Sequence, residues 1–267
     1  MLKEIYKKIT SKKQHKSPFE MLVEKALSMP RFNPATIVFE NYTFHVPDMI
    51  SVVWQLEEFF IDKKFNFKSA QANPVIYDCG ANVGVASIFF SSCFPNAIIN
   101  AYEADPIIIP YLEKNLLNNF VTNVNVFSGA VWINNEGVDF ASEGGDGGSM
   151  YLGNEKSRVP SFRLKDKLSE ENEVSFLKLD IEGSEVDVLK DCASELHKVR
   201  YLFVEYHSWK TRSQNLSVML SVLENNGFRY VVESLGNNRD FFLEEFDNKL
   251  NMDLQLNIYA VNTGFKE

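Results

Sequence analysis

The chain has 267 residues, with 27 Lys and Arg against 36 Asp and Glu, a formal net charge of −9, and 45% hydrophobic and 24% charged residues. This composition excludes a disordered or fibrous chain and describes an ordinary globular protein of one or two domains, long enough to bury a core. The acidic balance excludes an electrostatic nucleic-acid binder, which works by neutralising phosphates with clustered Lys and Arg.

The first 16 residues carry Lys3, Lys7, Lys8, Lys12, Lys13 and Lys16 without an apolar run, so they do not form a secretory signal, and a cytoplasmic chain is expected. Leu2, Ile5, Tyr6 and Ile9 fall at helical spacing, which predicts a short amphipathic helix, either a solvated end or a weak contact with a surface. A second helix is predicted between Pro18 and Pro30. Two β-rich runs over 36–46 flank Glu40-Asn41 and predict a hairpin. From Asp48, an N-cap residue type, the pattern over 49–65 is helical. With no repeat or linker, residues 1–73 are expected to form a small α+β extension, a cap on a main domain over 74–267.

After Pro74 strand and helix alternate. Strands are predicted at 75–77, 98–102, 124–127, 174–179 and 201–205, with helices at 83–93, 107–119, 185–199 and 215–226. The helix from Glu185 is drawn on one apolar stripe of Val186, Leu189, Ala193, Leu196 and Val199. Continuous apolar strands separated by helices imply a doubly wound, mostly parallel α/β sheet covered on both faces. Runs at 228–234 and 254–261 have no room for a crossover helix between them and predict an antiparallel closing pair. The stretch from 79 to 102 is uncharged over 24 residues, but its Asn, Ser and Pro interruptions fit a buried helix and strand better than a membrane span. Cys79, Cys93 and Cys192 lack metal or disulfide spacing and are expected to be reduced and mostly buried.

The first strand of this domain runs into Asp78-Cys79-Gly80-Ala81-Asn82-Val83-Gly84 just before a helix. Gly80 and Gly84 permit a sharp turn and close approach to a ligand, beside the free N–H groups that open the helix. Their Gly-x-x-x-Gly spacing is not that of pyrophosphate-binding loops, which disfavours a nicotinamide-dependent oxidoreductase without removing it. Glu103 ends the next strand, in Glu103-Ala104-Asp105-Pro106. Adjacent parallel strands place both Asp78 and Glu103 at the carboxyl edge, where a carboxylate accepts two hydrogen bonds from ribose hydroxyls. A nucleoside-containing cofactor follows.

Asp180, Glu182 and Glu185 follow the fourth strand, and Glu205 with His207 follow the fifth. Asp180 is the candidate to face the reacting group, and His207 or Glu205 the candidate proton acceptor. Asp180, Glu182 and Glu205 are alternatively candidate ligands of a divalent metal ion. Glu185 suits the first turn of its helix. The glycine-rich stretch 143–149 is a candidate mobile cover.

The stretches DCGANVG (78–84), EADP (103–106) and FLKLDIEGSE (176–185) resemble the FkbM-type S-adenosylmethionine-dependent methyltransferases, over roughly 74–207, and the Lys-x-Asp-x-Glu-Gly-x-Glu segment is the most specific element. Val159 to Leu168 departs mildly, with Lys165-Asp166 after Leu164 where the family has Leu-Asp. The resemblance implies a class I methyltransferase (Rossmann-like) fold of seven strands and S-adenosyl-L-methionine as donor. It implies O-methylation of a sugar, glycan or secondary metabolite, hence a small-molecule or carbohydrate acceptor. Gly80, Ala81 and Asn82, in the turn closed by Gly84, would border the methionine part, Glu103 with Ala104 the ribose, and Gly129 with Ala130 the adenine, while Asp78 would orient the glycine turn or contact the donor's amino group through a water. A non-catalytic module that keeps the cofactor pocket is the remaining alternative.

Overall fold

The computed structural model describes residues 16–145, 147–151, 153, 155–234 and 252–265. The basic amphipathic segment at the start of the chain lies outside them. Helix α1 (Pro18–Ser28) opens on a capping box, in which the Ser17 hydroxyl accepts from Glu20 N–H at 3.1 Å and the Glu20 carboxylate accepts from Ser17 N–H at 2.7 Å. Such a cap is worth about 1 kcal/mol. Strands β1 (Ala35–Phe39) and β2 (Tyr42–Val46) form the hairpin that turns at Glu40-Asn41.

Helix α2 (Met49–Leu56) passes straight into a π-helical turn over Glu57–Ile61, so the helix drawn over 49–65 is α-helical only to Leu56. The wider turn brings Phe59 and Phe60, neighbours in sequence, onto the same Phe89 ring at 5.5 and 5.3 Å. Asp48 stands at the N-cap position, yet its carboxylate does not cap. It accepts instead from Arg31 Nε at 2.8 Å, Phe32 N–H at 3.1 Å and Ser51 Oγ at 2.7 Å, pinning the loop before the hairpin.

The main sheet begins with β3 (Val75–Cys79), α3 (Val85–Cys93), β4 (Ile98–Glu103), α4 (Ile109–Asn118) and β5 (Val124–Ser128). Two short strand pairs follow, β6 (Ala130–Trp132) with β9 (Ser161–Arg163) and β7 (Val138–Phe140) with β8 (Ser157–Val159). Then come α5 (Leu164–Glu170), β10 (Val174–Leu179), α6 (Glu185–Asp191), β11 (Val199–Trp209), α7 (Leu216–Asn225), β12 (Phe228–Ser234) and β13 (Met252–Asn262). The seven-stranded order is β12-β13-β11-β10-β3-β4-β5, and β13 runs antiparallel to both its neighbours. The chain leaves β3 toward β4 and β5 on one side, and β10 and β11 fill the other. The β3/β10 junction is therefore the switch point beside which open α/β sheets bind ligands.

Two expectations are corrected, the single helix from Glu185 and the burial of Cys93, while the helix and strand expected within 79–102 are found. The stripe from Glu185 is not one helix: α6 stops at Asp191, Leu196–Lys198 is a single 3₁₀ turn, and Val199 opens β11 opposite Val174. Sheet pairing overrides a periodicity that continued by coincidence. The uncharged stretch from 79 to 102 divides into the end of β3, α3 and β4, and no described helix is long and apolar enough to cross a membrane. Cys79 and Cys192 are buried, whereas Cys93, in the last turn of α3, is exposed.

The extension packs on one face of the sheet and shares its core. Phe65 lies 4.8 Å from Phe203, Phe67 lies 5.1 Å from Phe176, and Leu56 belongs to the same cluster as Ile76 and Ile99. Helices α5, α6 and α7 cover the other face around Leu177, Leu189 and Leu202. Two asparagines one turn apart, Asn115 on α4 and Asn119 just past its end, serve as a substitute strand for the open edge of β2. Asn119 bonds Thr43 N–H and C=O, both at 2.9 Å, and Asn115 bonds His45 N–H at 2.7 Å and C=O at 2.9 Å. The Asn115 amide also donates to Val83 O at 2.9 Å, which ties the extension to the glycine turn.

Candidate functional site

The glycine turn follows from crowding at the switch point. Gly80 has φ +83°, and a Cβ there would stand 1.8 Å from the Asp180 carbonyl oxygen, so no other residue fits. Gly80 and Ala81 N–H both donate to Tyr102 O at 2.9 Å, which joins the ends of β3 and β4. Asp78 pairs with Ala101 across these strands, so the Asp78 and Glu103 ends share one rim as expected.

Their environments differ. Asp78 is fully buried; it accepts from Ser87 Oγ at 2.6 Å and lies 3.5 Å from Lys178 Nζ. Burial pushes its carboxyl up, and Lys178 and Ser87 oppose that. It is placed to hold α3 and the turn, and its Oδ1 has no hydrogen-bond partner among the described residues. Glu103 is 8% exposed and accepts from two backbone N–H groups, Asn82 at 2.7 Å and Asp105 at 2.8 Å. Burial pushes its carboxyl up to about 7 against those two bonds. Each oxygen keeps an acceptor direction, and its described hydrogen-bond partners are neutral. Paired hydroxyls, as on a ribose, are the donors such a group lacks, so the residues fit an adenosyl ligand. Gly129 N–H bonds Glu103 O at 2.7 Å and Ala130 N–H bonds Pro160 O at 2.9 Å, which sets both beside the half-buried Ala104.

The glycine-rich stretch spans this rim. Asp105 Oδ2 accepts from Glu143 and Gly144 N–H, both at 3.2 Å, Asn82 Nδ2 donates to Gly145 O at 2.9 Å, and Ser149 Oγ donates to Glu182 O at 3.0 Å. Three loops thus tether it, over the donor side as well as toward β10.

The second half of the rim is built by period-two alternation. Lys178 and Asp180 share one face of β10 and its extension; Glu205, His207 and Trp209 share that face of β11, which overruns the last β10 pairing at Leu179 and Val204. Lys178, buried, donates to Gly80 O at 2.9 Å and lies 3.2 Å from Asp180 Oδ2. Burial opposes its charge, and Asp180 and Asp78 more than restore it, holding the ammonium above the ordinary lysine range. The sequence reading missed Lys178, although a lone lysine inside the apolar run VSFLKL was the available signal.

His207 is enclosed by glutamates. Its Nδ1 lies 3.0 Å from Glu185 Oε1, and its Nε2 lies 3.6 Å from Glu205 and 3.7 Å from Glu182. Burial works against the imidazolium, but Glu182 and Glu185 overcome it and hold the ring protonated well above its usual range. Glu182 is itself pushed up by burial. The Glu185 carboxylate also accepts from Ile181 N–H at 3.1 Å and Gly183 N–H at 3.0 Å, so it fixes the turn before its helix and aims His207 at once. Glu205 accepts from Gln255 Nε2. Glu58, from the π-turn of the extension, enters this neighbourhood and bonds Asn257 Nδ2 at 3.4 Å; nothing local in the sequence marked it. For a cation, ligand atoms of Asp180, Glu205 and His207 lie within 4.8 Å of one another. The trio drawn from sequence had Glu182 in place of His207.

Residues 78–230 match the Methyltransferase FkbM domain. A curated relative, Methyltransferase sdnD of Sordaria araneosa, is 29% identical over 92 residues, which are 34% of this chain and only 36% of that protein. The SAM-dependent methyltransferase of Agrobacterium tumefaciens superposes with TM-score 0.52 at 9% identity, over 88% of this chain and 72% of that one, which speaks to fold alone. Methyltransferase FkbM from Methylobacillus flagellatus KT superposes with TM-score 0.48 at 15% identity, over 79% and 53%. With more than half of its length under the family match, the chain belongs to the FkbM methyltransferase domain family, whose methyl donor is S-adenosylmethionine.

Proposed function

We propose that the protein transfers a methyl group from S-adenosylmethionine to a hydroxyl of a sugar, glycan or secondary metabolite. The observation that carries this reading is one continuous rim on which Glu103, a buried carboxylate without an ion pair among the described residues, and a glycine turn lead directly to an acidic cluster at Asp180 and Glu205.

When bound, the donor supplies an electrophilic methyl group on a positively charged sulfur. Glu103 holds the ribose hydroxyls, the turn from Gly80 to Gly84 borders the methionine part, and Gly129 and Ala130 border the adenine. Asp78 stays behind them, keeping the turn and Lys178 in place. Lys178 links the Gly80 carbonyl to Asp180, so the two halves of the site are set at a fixed spacing. Asp180, 3.2 Å from that ammonium, orients the acceptor hydroxyl, and most of the rate enhancement comes from such positioning. A histidine that already carries its proton does not take another, so the acceptor's proton goes to Glu205 and not to His207. Residues 1–73 act as the cap under which the acceptor binds.

A second reading rests on the three ligand atoms within 4.8 Å: a divalent metal ion held by Asp180, Glu205 and His207 would polarise the acceptor hydroxyl. Lys178, 3.2 Å from Asp180, already supplies positive charge there and favours the metal-free route. Titration calorimetry with S-adenosylhomocysteine tests the donor half, and no binding removes the proposal. A labelled-methyl screen over sugar acceptors, run with and without chelator, separates transfer from mere binding and the base from the metal.

A further inference from the structure

Glu58, Gln255 and Asn257 lie outside residues 78–230, the family match, yet they converge on its acidic rim. Glu58 is presented by the π-turn, whose carbonyl at that residue also accepts from Lys64 N–H at 3.1 Å. Its carboxylate lies 3.4 Å from Asn257 Nδ2 and 3.5 Å from Lys64 Nζ, and its side chain keeps 26% of its surface exposed, within reach of an entering molecule. Asn257 sits directly opposite Glu205 in the β11–β13 pairing, so both side chains rise from the same face. Two pairs farther along, opposite His207, Gln255 donates to Glu205. The Asn257 Oδ1, in a fully buried residue, finds no hydrogen-bond partner among the described residues.

We infer that Glu58, together with Asn257 and Gln255, forms the wall that receives the acceptor, so this side of the site is built by segments the family domain does not contain. The inference rests on the proposed donor site. Lys64, Lys178 and the protonated His207 are the cations placed against four carboxylates here, Glu58, Asp180, Glu182 and Glu205, and burial with Glu205 nearby pushes the Glu58 carboxyl up to about 7. Surplus carboxylate oxygens and a spare amide oxygen are satisfied by hydroxyl donors and repel anions. The wall therefore takes an acceptor that is uncharged where it is methylated and offers neighbouring hydroxyls. Wall residues that come from two ends of the chain can vary without disturbing the donor turn.

The test uses the full chain saturated with S-adenosylhomocysteine and a panel of neutral methyl glycosides, read by saturation-transfer NMR. At least one glycoside is expected to bind. Glu58→Gln should weaken it at least fivefold, with S-adenosylhomocysteine affinity within twofold of the parent. This variant should fold, because neutralising a carboxyl crowded by Glu205 and Asp180 relieves repulsion. Glu58→Asp, which keeps the charge but shortens the reach, should weaken the glycoside as well. Equal glycoside binding by the parent and both variants overturns the inference, as does a parent that binds S-adenosylhomocysteine but no glycoside. A parent that fails to bind S-adenosylhomocysteine overturns the donor reading itself and this inference with it.

Discussion

The two halves of the rim hold their carboxylates in opposite ways. On the donor side Glu103 is bonded by backbone N–H groups of Asn82 and Asp105, all within one βαβ unit. On the acceptor side Asp180, Glu205 and His207 are held by side chains drawn from β3, β10, α6, β13 and the extension. Backbone donors recur wherever the turn is made, so the donor half tolerates divergence around it. A network of side chains instead depends on every member, because an unpaired buried charge is costly. Constancy at one end and adaptable chemistry at the other is what a common donor with varied acceptors requires.

The largest effect that sharpens this contrast is on turnover. Asp180→Asn should lower kcat on the order of a thousandfold, about 4 kcal/mol of lost transition-state stabilisation. It should leave S-adenosylhomocysteine affinity within threefold. A variant with full activity would remove Asp180 from the reaction, and one that loses affinity instead would show that the halves are not separable through Lys178.

Next in size is the cost of opening the network. His207→Ala leaves Glu185 and Glu182 without their cation and should cost about 3 kcal/mol in urea unfolding. Glu103→Ala, by contrast, should unfold at the same or higher denaturant, because it removes a carboxyl that folding buries without an ion pair among the described residues. It should weaken S-adenosylhomocysteine on the order of thirtyfold, the worth of hydrogen bonds to a charged group. If both variants lose stability equally, the distinction between backbone-held and network-held carboxylates fails.

The same contrast explains what the chain made legible before any coordinates. The donor half was readable because its parts are short-range: Gly80, Gly84 and Glu103 fall at fixed places around a strand, a turn and a helix, and sheet order brings strand ends together by rule. Asp180, Glu205 and His207 were readable as residues, since they fall just past the last β10–β11 pairing, but the charge state of His207 was not. His207 passes for a base until Glu182 and Glu185 are seen on both of its nitrogens. Glu58 and Asn257 meet across 199 positions of chain, and neither sits in a distinctive pattern. The π-turn that aims Glu58 leaves only an apparent amphipathic helix in the sequence. Likewise Val199 completed a helical stripe while belonging to a strand, since periodicity over so few residues does not outweigh sheet pairing.

The smallest predicted effect is the one that most directly tests the donor half. Glu103 has a folded-state value near 7 against an ordinary 4.5, so the folded apo chain holds a proton that the unfolded chain releases between these pH values. Stability is therefore lost as pH rises through that window, by about 3 kcal/mol when the group is fully ionised. Ribose hydroxyls donate to the ionised carboxylate and offset that loss, so S-adenosylhomocysteine must displace a proton wherever Glu103 is still protonated. Its dissociation constant should fall about tenfold from pH 6 to pH 8, as expected for one group titrating near 7. Calorimetry in buffers of different ionisation enthalpy should show the released proton, and Glu103→Gln should flatten the profile. Glu58 titrates in the same range but stands on the acceptor wall, so Glu58→Gln should leave the pH dependence of S-adenosylhomocysteine binding intact. A flat profile in the parent would mean that Glu103 does not meet the ribose, and a profile flattened by Glu58→Gln would mean that the two halves share one electrostatic site.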